Sequence, residues 1–110
     1  MEPGYVQAAL KSEIPDGRVK MVKLGDKEVL IANVNGSYYA INNRCTHAGT
    51  DLSQGTLEGN IVECPKHHAK FDVLTGKVIS PPKIAFFHPK IQDELSYQVK
   101  IKNENIFIKL

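Results

Sequence analysis

Residues 43–82 read N-R-C-T-H-A-G-T-D-L-S-Q-G-T-L-E-G-N-I-V-E-C-P-K-H-H-A-K-F-D-V-L-T-G-K-V-I-S-P-P and hold both cysteines and three of the four histidines of the chain. Within this stretch, Cys45-Thr46-His47 and Cys64-Pro65-Lys66-His67 each set one thiol beside one imidazole, with 16 residues between the two pieces. Brought together, two such loops offer two sulfurs to one iron and two ring nitrogens to its neighbour. A tetrahedral zinc site is the competing reading of two Cys and two His. Zinc motifs, however, commonly pair like with like, as Cys-x(2–4)-Cys and His-x(3–5)-His, whereas both loops here mix the two ligand types. A Cys45–Cys64 disulfide would leave the neighbouring histidines without a role.

The same stretch resembles the cluster-binding part of Rieske-type ferredoxins. The resemblance rests on Cys-x-His (Cys45, His47), Leu-Ser-x-Gly (Leu52 to Gly55), Cys-Pro-x-His (Cys64 to His67), Phe71-Asp72, Thr75-Gly76-Lys77-Val78 and the prolines that follow. It covers about 40 of the 110 residues. It departs at His68, where the family usually has glycine. The resemblance implies one [2Fe–2S] cluster held by Cys45, His47, Cys64 and His67. Thiolates stabilise ferric iron and neutral imidazole donates less charge, so the electron should sit on the histidine-bound iron. Respiratory members of the family carry an extra cysteine in each loop, at the positions of Thr50 and Lys66, and hydroxyl donors at those of Ala69 and Phe71. None of these is present, which implies a potential near the lower end of the roughly −150 to +300 mV Rieske range.

Composition narrows the function classes. Fourteen basic and 12 acidic residues give a net charge of +2 and are spread along the chain, with no basic block for nucleic acid or anionic membrane. No apolar run approaches the ~20 residues of a membrane span, and the opening Met1-Glu2-Pro3-Gly4-Tyr5 lacks a secretory or twin-arginine pattern. The expected location is the cytoplasm. At this length, residues 1–110 are expected to form one domain with a modest core to which the cluster adds stability.

Outward from residues 43–82 the pattern is β. Val29 to Val34, Asn35-Gly36 and Tyr38 to Ile41 read as a hairpin, with Asn-Gly supplying the positive φ angles of a type I′ turn. Gly59-Asn60 marks a second turn between Thr56-Leu57 and Ile61-Val62, and Asn103-Glu104-Asn105 a third between Tyr97 to Ile101 and Ile106 to Ile108. Val6 to Leu10 and Val19 to Leu24 read as two strands around Pro15-Asp16-Gly17. No segment has the length and 3.6-residue period of a helix. The expectation is an all-β chain, with an antiparallel β-sandwich base and a cluster-binding subdomain, about 43–82, inserted between its strands, as the Rieske fold implies.

Residues 83–95 read as a packed surface loop, with a lid or docking element as the alternative; Ile84, Phe86 and Phe87 would form the apolar patch of that lid. His68 is expected to point away from the cluster as a neighbour in extended backbone. His88 is expected to be structural, and Tyr38, Tyr39 and Phe71 to belong to the core. Partners are expected to cover the tip of the cluster loops, with Leu52 and Pro81 as apolar rim residues.

A Rieske oxygenase needs a second iron site of two histidines and a carboxylate. Once the four ligands are committed, only His68 and His88 remain. The expected function is therefore a one-electron carrier between a flavin- or iron–sulfur-dependent reductase and a terminal oxygenase or other redox acceptor, and not an enzyme in itself. The alternatives are a small Rieske subunit of a larger redox enzyme such as nitrite reductase and, from another class, a zinc-stabilised binding module.

Overall fold

The computed structural model describes residues 3–46, 49–82 and 90–110. Among these described residues eleven strands run β1 (Tyr5–Leu10), β2 (Val19–Leu24), β3 (Lys27–Val34), β4 (Ser37–Asn42), β5 (Thr56–Glu58), β6 (Ile61–Glu63), β7 (Lys70–Asp72), β8 (Val78–Ser80), β9 (Ser96–Tyr97), β10 (Val99–Lys102) and β11 (Asn105–Lys109), with short 3₁₀ turns at Lys11–Glu13 and Leu52–Gln54. They form three antiparallel sheets, in the orders β1-β11-β10, β2-β3-β4-β9 and β5-β6-β7-β8. The first two sheets make the base, and the third is built wholly from the inserted residues 56–80. The architecture is all-β, as the resemblance implied.

The β3–β4 hairpin follows from its turn. Asn35 and Gly36 both take positive φ, 55° and 87°, and the register closes at Val34↔Ser37. These φ signs match the right-handed twist of the flanking strands. β3 is buried on both faces, and its alternation distributes side chains to two cores. Val29 and Ile31 join Ala9, Ile14, Ala40, Ile106 and Ile108 between the base sheets. Leu30 and Ala32 join Ile41, Leu52, Val62, Phe71 and Val73 beneath the inserted sheet. The inserted sheet thus sits on the second face of a strand that the base already fixes.

Val6 to Leu10 and Val19 to Leu24 are strands, as expected, and lie in different sheets: β1 pairs with β11, Tyr5 opposite Lys109, whereas β2 pairs with β3. One expectation needs correction. The stretch Tyr97 to Ile101 is not one strand, because β9 pairs with β4 and β10 with β11 across a break at Gln98. Tyr38 and Tyr39 pack against the two cores from half-buried positions, and Phe71 is fully buried.

Candidate metal centre

The two Cys/His pieces fold into loops with one hydrogen-bond frame. In the first, the Cys45 N–H donates to the Thr50 carbonyl (2.8 Å) and the Gly49 N–H donates to the Cys45 carbonyl (2.8 Å). In the second, the Cys64 N–H donates to the Ala69 carbonyl (2.7 Å) and the His68 N–H to the Cys64 carbonyl (3.1 Å). Each loop therefore turns back on its cysteine and crosses the left-handed region at the fourth residue after it, Gly49 at φ 67° and His68 at φ 63°. Glycine does this at no steric cost, whereas a side chain costs about 1–2 kcal/mol. His68 is thus left-handed rather than extended, because its N–H must reach Cys64. Its exposed ring contacts Glu63, Nδ1 to Oε2 at 2.7 Å, with Lys70 on the other oxygen of Glu63 at 3.8 Å.

Cys45 is 3% exposed and Cys64 1%, and both belong to the core that contains Leu30 and Phe71. They are not joined in a disulfide. His67 is half-buried on the second loop. His47 lies outside the described residues, as do Ile84, Phe86, Phe87 and His88, so the apolar patch suggested for a lid falls outside them too. Among the described residues no group of three or more His, Cys, Asp or Glu side chains gathers as a metal site, a set from which His47 is missing. Two thiols converging in one core from loops of matching frame, with an imidazole three residues beyond one of them, fit a mixed sulfur and nitrogen donor set.

The first loop is anchored from three sides. Fully buried Asn43 accepts from Ser53 N–H (3.0 Å) and donates to Asp51 Oδ1 (2.6 Å). Burial pushes the Asp51 pKa up, but hydrogen bonds from Ser53 and Asn43 outweigh it and hold the carboxyl below its usual value. Arg44 grips Glu28 through Nη2 (2.9 Å) and Nε (2.9 Å) and donates to the Gly49 carbonyl (3.1 Å). The third anchor is Thr46, between Cys45 and His47. Its N–H donates to Glu94 Oε2 (3.2 Å) and its hydroxyl to the Gln92 carbonyl (2.6 Å).

Sequence reasoning missed Glu94, which follows Asp93 in the least patterned part of the chain. It is 4% exposed, and burial pushes its pKa up to about 8 against the opposing bond from Thr46. Residues 90–95 thus bear out the packed-loop reading of their part of 83–95, since Glu94 N–H also donates to the Gly76 carbonyl (2.7 Å). Leu52 needs correction as a rim residue: it opens the 3₁₀ turn capped by Asp51 and is fully buried. Pro81 is exposed. Gly55 explains the Leu-Ser-x-Gly motif, because a Cβ there would lie 1.9 Å from the Glu63 carbonyl oxygen, at the approach to Cys64.

A family model described as the Rieske [2Fe-2S] domain matches residues 4–90. The ferredoxin component of the naphthalene 1,2-dioxygenase/salicylate 5-hydroxylase systems of Ralstonia sp. is 38% identical over 110 residues, 100% of this chain and 99% of that protein. Among solved structures, the ferredoxin of Sphingomonas yanoikuyae B1 is 27% identical with a TM-score of 0.81, covering 96% of this chain and 97% of that one. A chain in the complex of reduced oxygenase and oxidized ferredoxin of carbazole 1,9a-dioxygenase is 25% identical with a TM-score of 0.82, covering 98% and 94%.

Proposed function

The chain belongs to the Rieske [2Fe–2S] family, and from that premise we propose that it is a one-electron carrier that serves a terminal oxygenase and is reloaded by a flavin- or iron–sulfur-dependent reductase. When bound, the [2Fe–2S] cluster supplies a centre that accepts and returns one electron. Cys45 and Cys64 would hold one iron through sulfur, and His47 and His67 the other through ring nitrogen. The observation that carries the reading is the shared frame of the two loops, which draws both cysteines into one core.

The remaining residues suit a carrier rather than a catalyst. His68 is engaged with Glu63, which leaves His88 alone as a candidate for a second iron site that needs two histidines and a carboxylate. Ala69 and Phe71 are fully buried in the core that holds both cysteines, and neither offers a hydroxyl; the expectation of a low potential rests on them. We read residues 1–110 as one Rieske domain, with 43–82 its cluster-binding part. Thiols kept out of a disulfide suit the reducing cytoplasm, and among the described residues no helix is long and apolar enough to cross a membrane. The oxygenase as acceptor is supported by the relatives, which are ferredoxin components of dioxygenase systems.

Electron transfer between a ferredoxin reductase and a terminal oxygenase, with this chain as the intermediary, tests the reading. Reduced nicotinamide dinucleotide plus reductase should bleach the visible absorption of the protein, and adding oxygenase should restore it at one electron per chain. Oxygenase that turns over equally fast with reductase alone would overturn it.

A further inference from the structure

Residues 92–94 cross the first ligand loop and the β7–β8 turn together. Gln92 takes the Thr46 hydroxyl, Glu94 Oε2 takes the Thr46 N–H, Asp93 Oδ1 takes the Val78 N–H (2.8 Å), and the Glu94 N–H goes to Gly76. Three consecutive residues thus tie two segments that are not neighbours in any sheet. Glu94 is unusual among them. Its carboxyl is withdrawn from water, one oxygen accepts from a single backbone amide, and Oε1 is buried with no hydrogen-bond partner among the described residues. An isolated buried polar oxygen is costly, because it gives up its water without gaining a partner. A surface loop that only needed covering would be cheaper with an apolar residue here.

We propose that Glu94 is a positioning residue for the cluster: by accepting the Thr46 N–H it fixes the peptide between Cys45 and His47, and so sets the geometry in which the first loop presents its sulfur and its imidazole. The proposal rests on the ligand assignment given under the proposed function. It assigns the work to the position of an acceptor oxygen, not to its charge. Glutamine keeps a carbonyl oxygen at the same reach; aspartate keeps the carboxyl but withdraws it by one methylene; alanine removes the acceptor.

The test uses the full cluster-loaded chain and its Glu94→Gln, Glu94→Asp and Glu94→Ala variants. Three quantities are read: the rate of colour loss under an iron chelator, hydrogen exchange of the peptide spanning residues 44–50, and the g-values of the reduced protein. Glu94→Gln should lose its cluster no faster than the parent and keep its g-values. Glu94→Asp and Glu94→Ala should lose it about tenfold faster, the equivalent of one hydrogen bond, with faster exchange confined to residues 44–50 and shifted g-values. If alanine prevents folding, the Gln and Asp pair decides alone. Wild-type behaviour in Glu94→Asp together with rapid loss in Glu94→Gln would overturn the proposal in favour of charge. Unchanged g-values and loop exchange in Glu94→Asp, whatever its thermal stability, would overturn it in favour of simple packing. Failure of the ligand assignment would show separately, as a parent protein without histidine-bound iron.

Discussion

Gly76→Ala puts the crossing of residues 92–94 over the β7–β8 turn to a direct test. Gly76 has φ 82°, a Cβ built on it would stand 2.1 Å from the Glu94 carbonyl oxygen, and its own carbonyl accepts the Glu94 N–H at 2.7 Å. Alanine therefore incurs the left-handed cost of about 1–2 kcal/mol and must also push the Glu94 backbone away. That movement gives up a hydrogen bond of about 1 kcal/mol and whatever packing moves with it. The total is about 2–4 kcal/mol, within the range of strained or overpacked sites. Gly25→Ala is the control, because Gly25 has φ 66° and nothing within 4 Å of the added Cβ, so it incurs the backbone cost alone. At roughly 4–8 °C per kcal/mol for a domain of this size, Gly76→Ala should melt well below Gly25→Ala. Apparent midpoints of the cluster-loaded proteins should be compared at one heating rate, since cluster loss makes unfolding irreversible. Equal midpoints for the two variants would mean that the close approach of Gly76 to the Glu94 backbone contributes nothing to the cost.

Two further outcomes follow from buried residues near the ligand loops. Burial pushes the pKa of Glu94 in the folded chain up to about 8, from 4.5 for a free glutamate, so folding favours its protonated form: below 4.5 both states are protonated, and as pH rises towards 8 the unfolded chain ionises first. Wild-type stability should therefore fall relative to Glu94→Gln across that window, by at most about 1.4 kcal/mol per pH unit, and level off above it; parallel melting curves for the two proteins from pH 5 to pH 8 would contradict this. The double change Ala69→Ser and Phe71→Tyr should raise the reduction potential by about 40–90 mV, the equivalent of about 1–2 kcal/mol of preferential hydrogen bonding to the reduced state. An unchanged potential with both hydroxyls bonded to sulfur in the variant's structure would remove the explanation for a low-potential carrier.

The sequence carried the local parts of this fold better than the distant ones. Asn35-Gly36 forces a hairpin from four residues of information, and the β3–β4 register agrees with it. The partner of β1 is β11, about a hundred residues away, and no turn residue announces that pairing. The ligand loops were legible because thiol and imidazole are rare and their spacing is specific. Glu94 was not, because its importance comes from burial against Thr46, which one acid in an irregular segment does not signal. His68 illustrates the opposite failure. Its place after His67 suggested extended backbone, but the loop needs a left-handed residue to return to Cys64, a demand visible in the sequence only as the glycine usual at that position. Leu52 looked like a surface residue of a ligand loop until its 3₁₀ turn directed it inward.

The ligand set proposed for the [2Fe–2S] centre is two sulfurs and two imidazole nitrogens. Electron paramagnetic resonance of the reduced protein, prepared with nitrogen-15 histidine and read for nitrogen hyperfine coupling, distinguishes it from any other. The protein should hold about two irons and two labile sulfides per chain and show an average g below the free-electron value, with two coupled histidine nitrogens of which one vanishes in His67→Cys. A signal with no histidine coupling, or zinc in place of iron in anaerobically prepared protein, would contradict it.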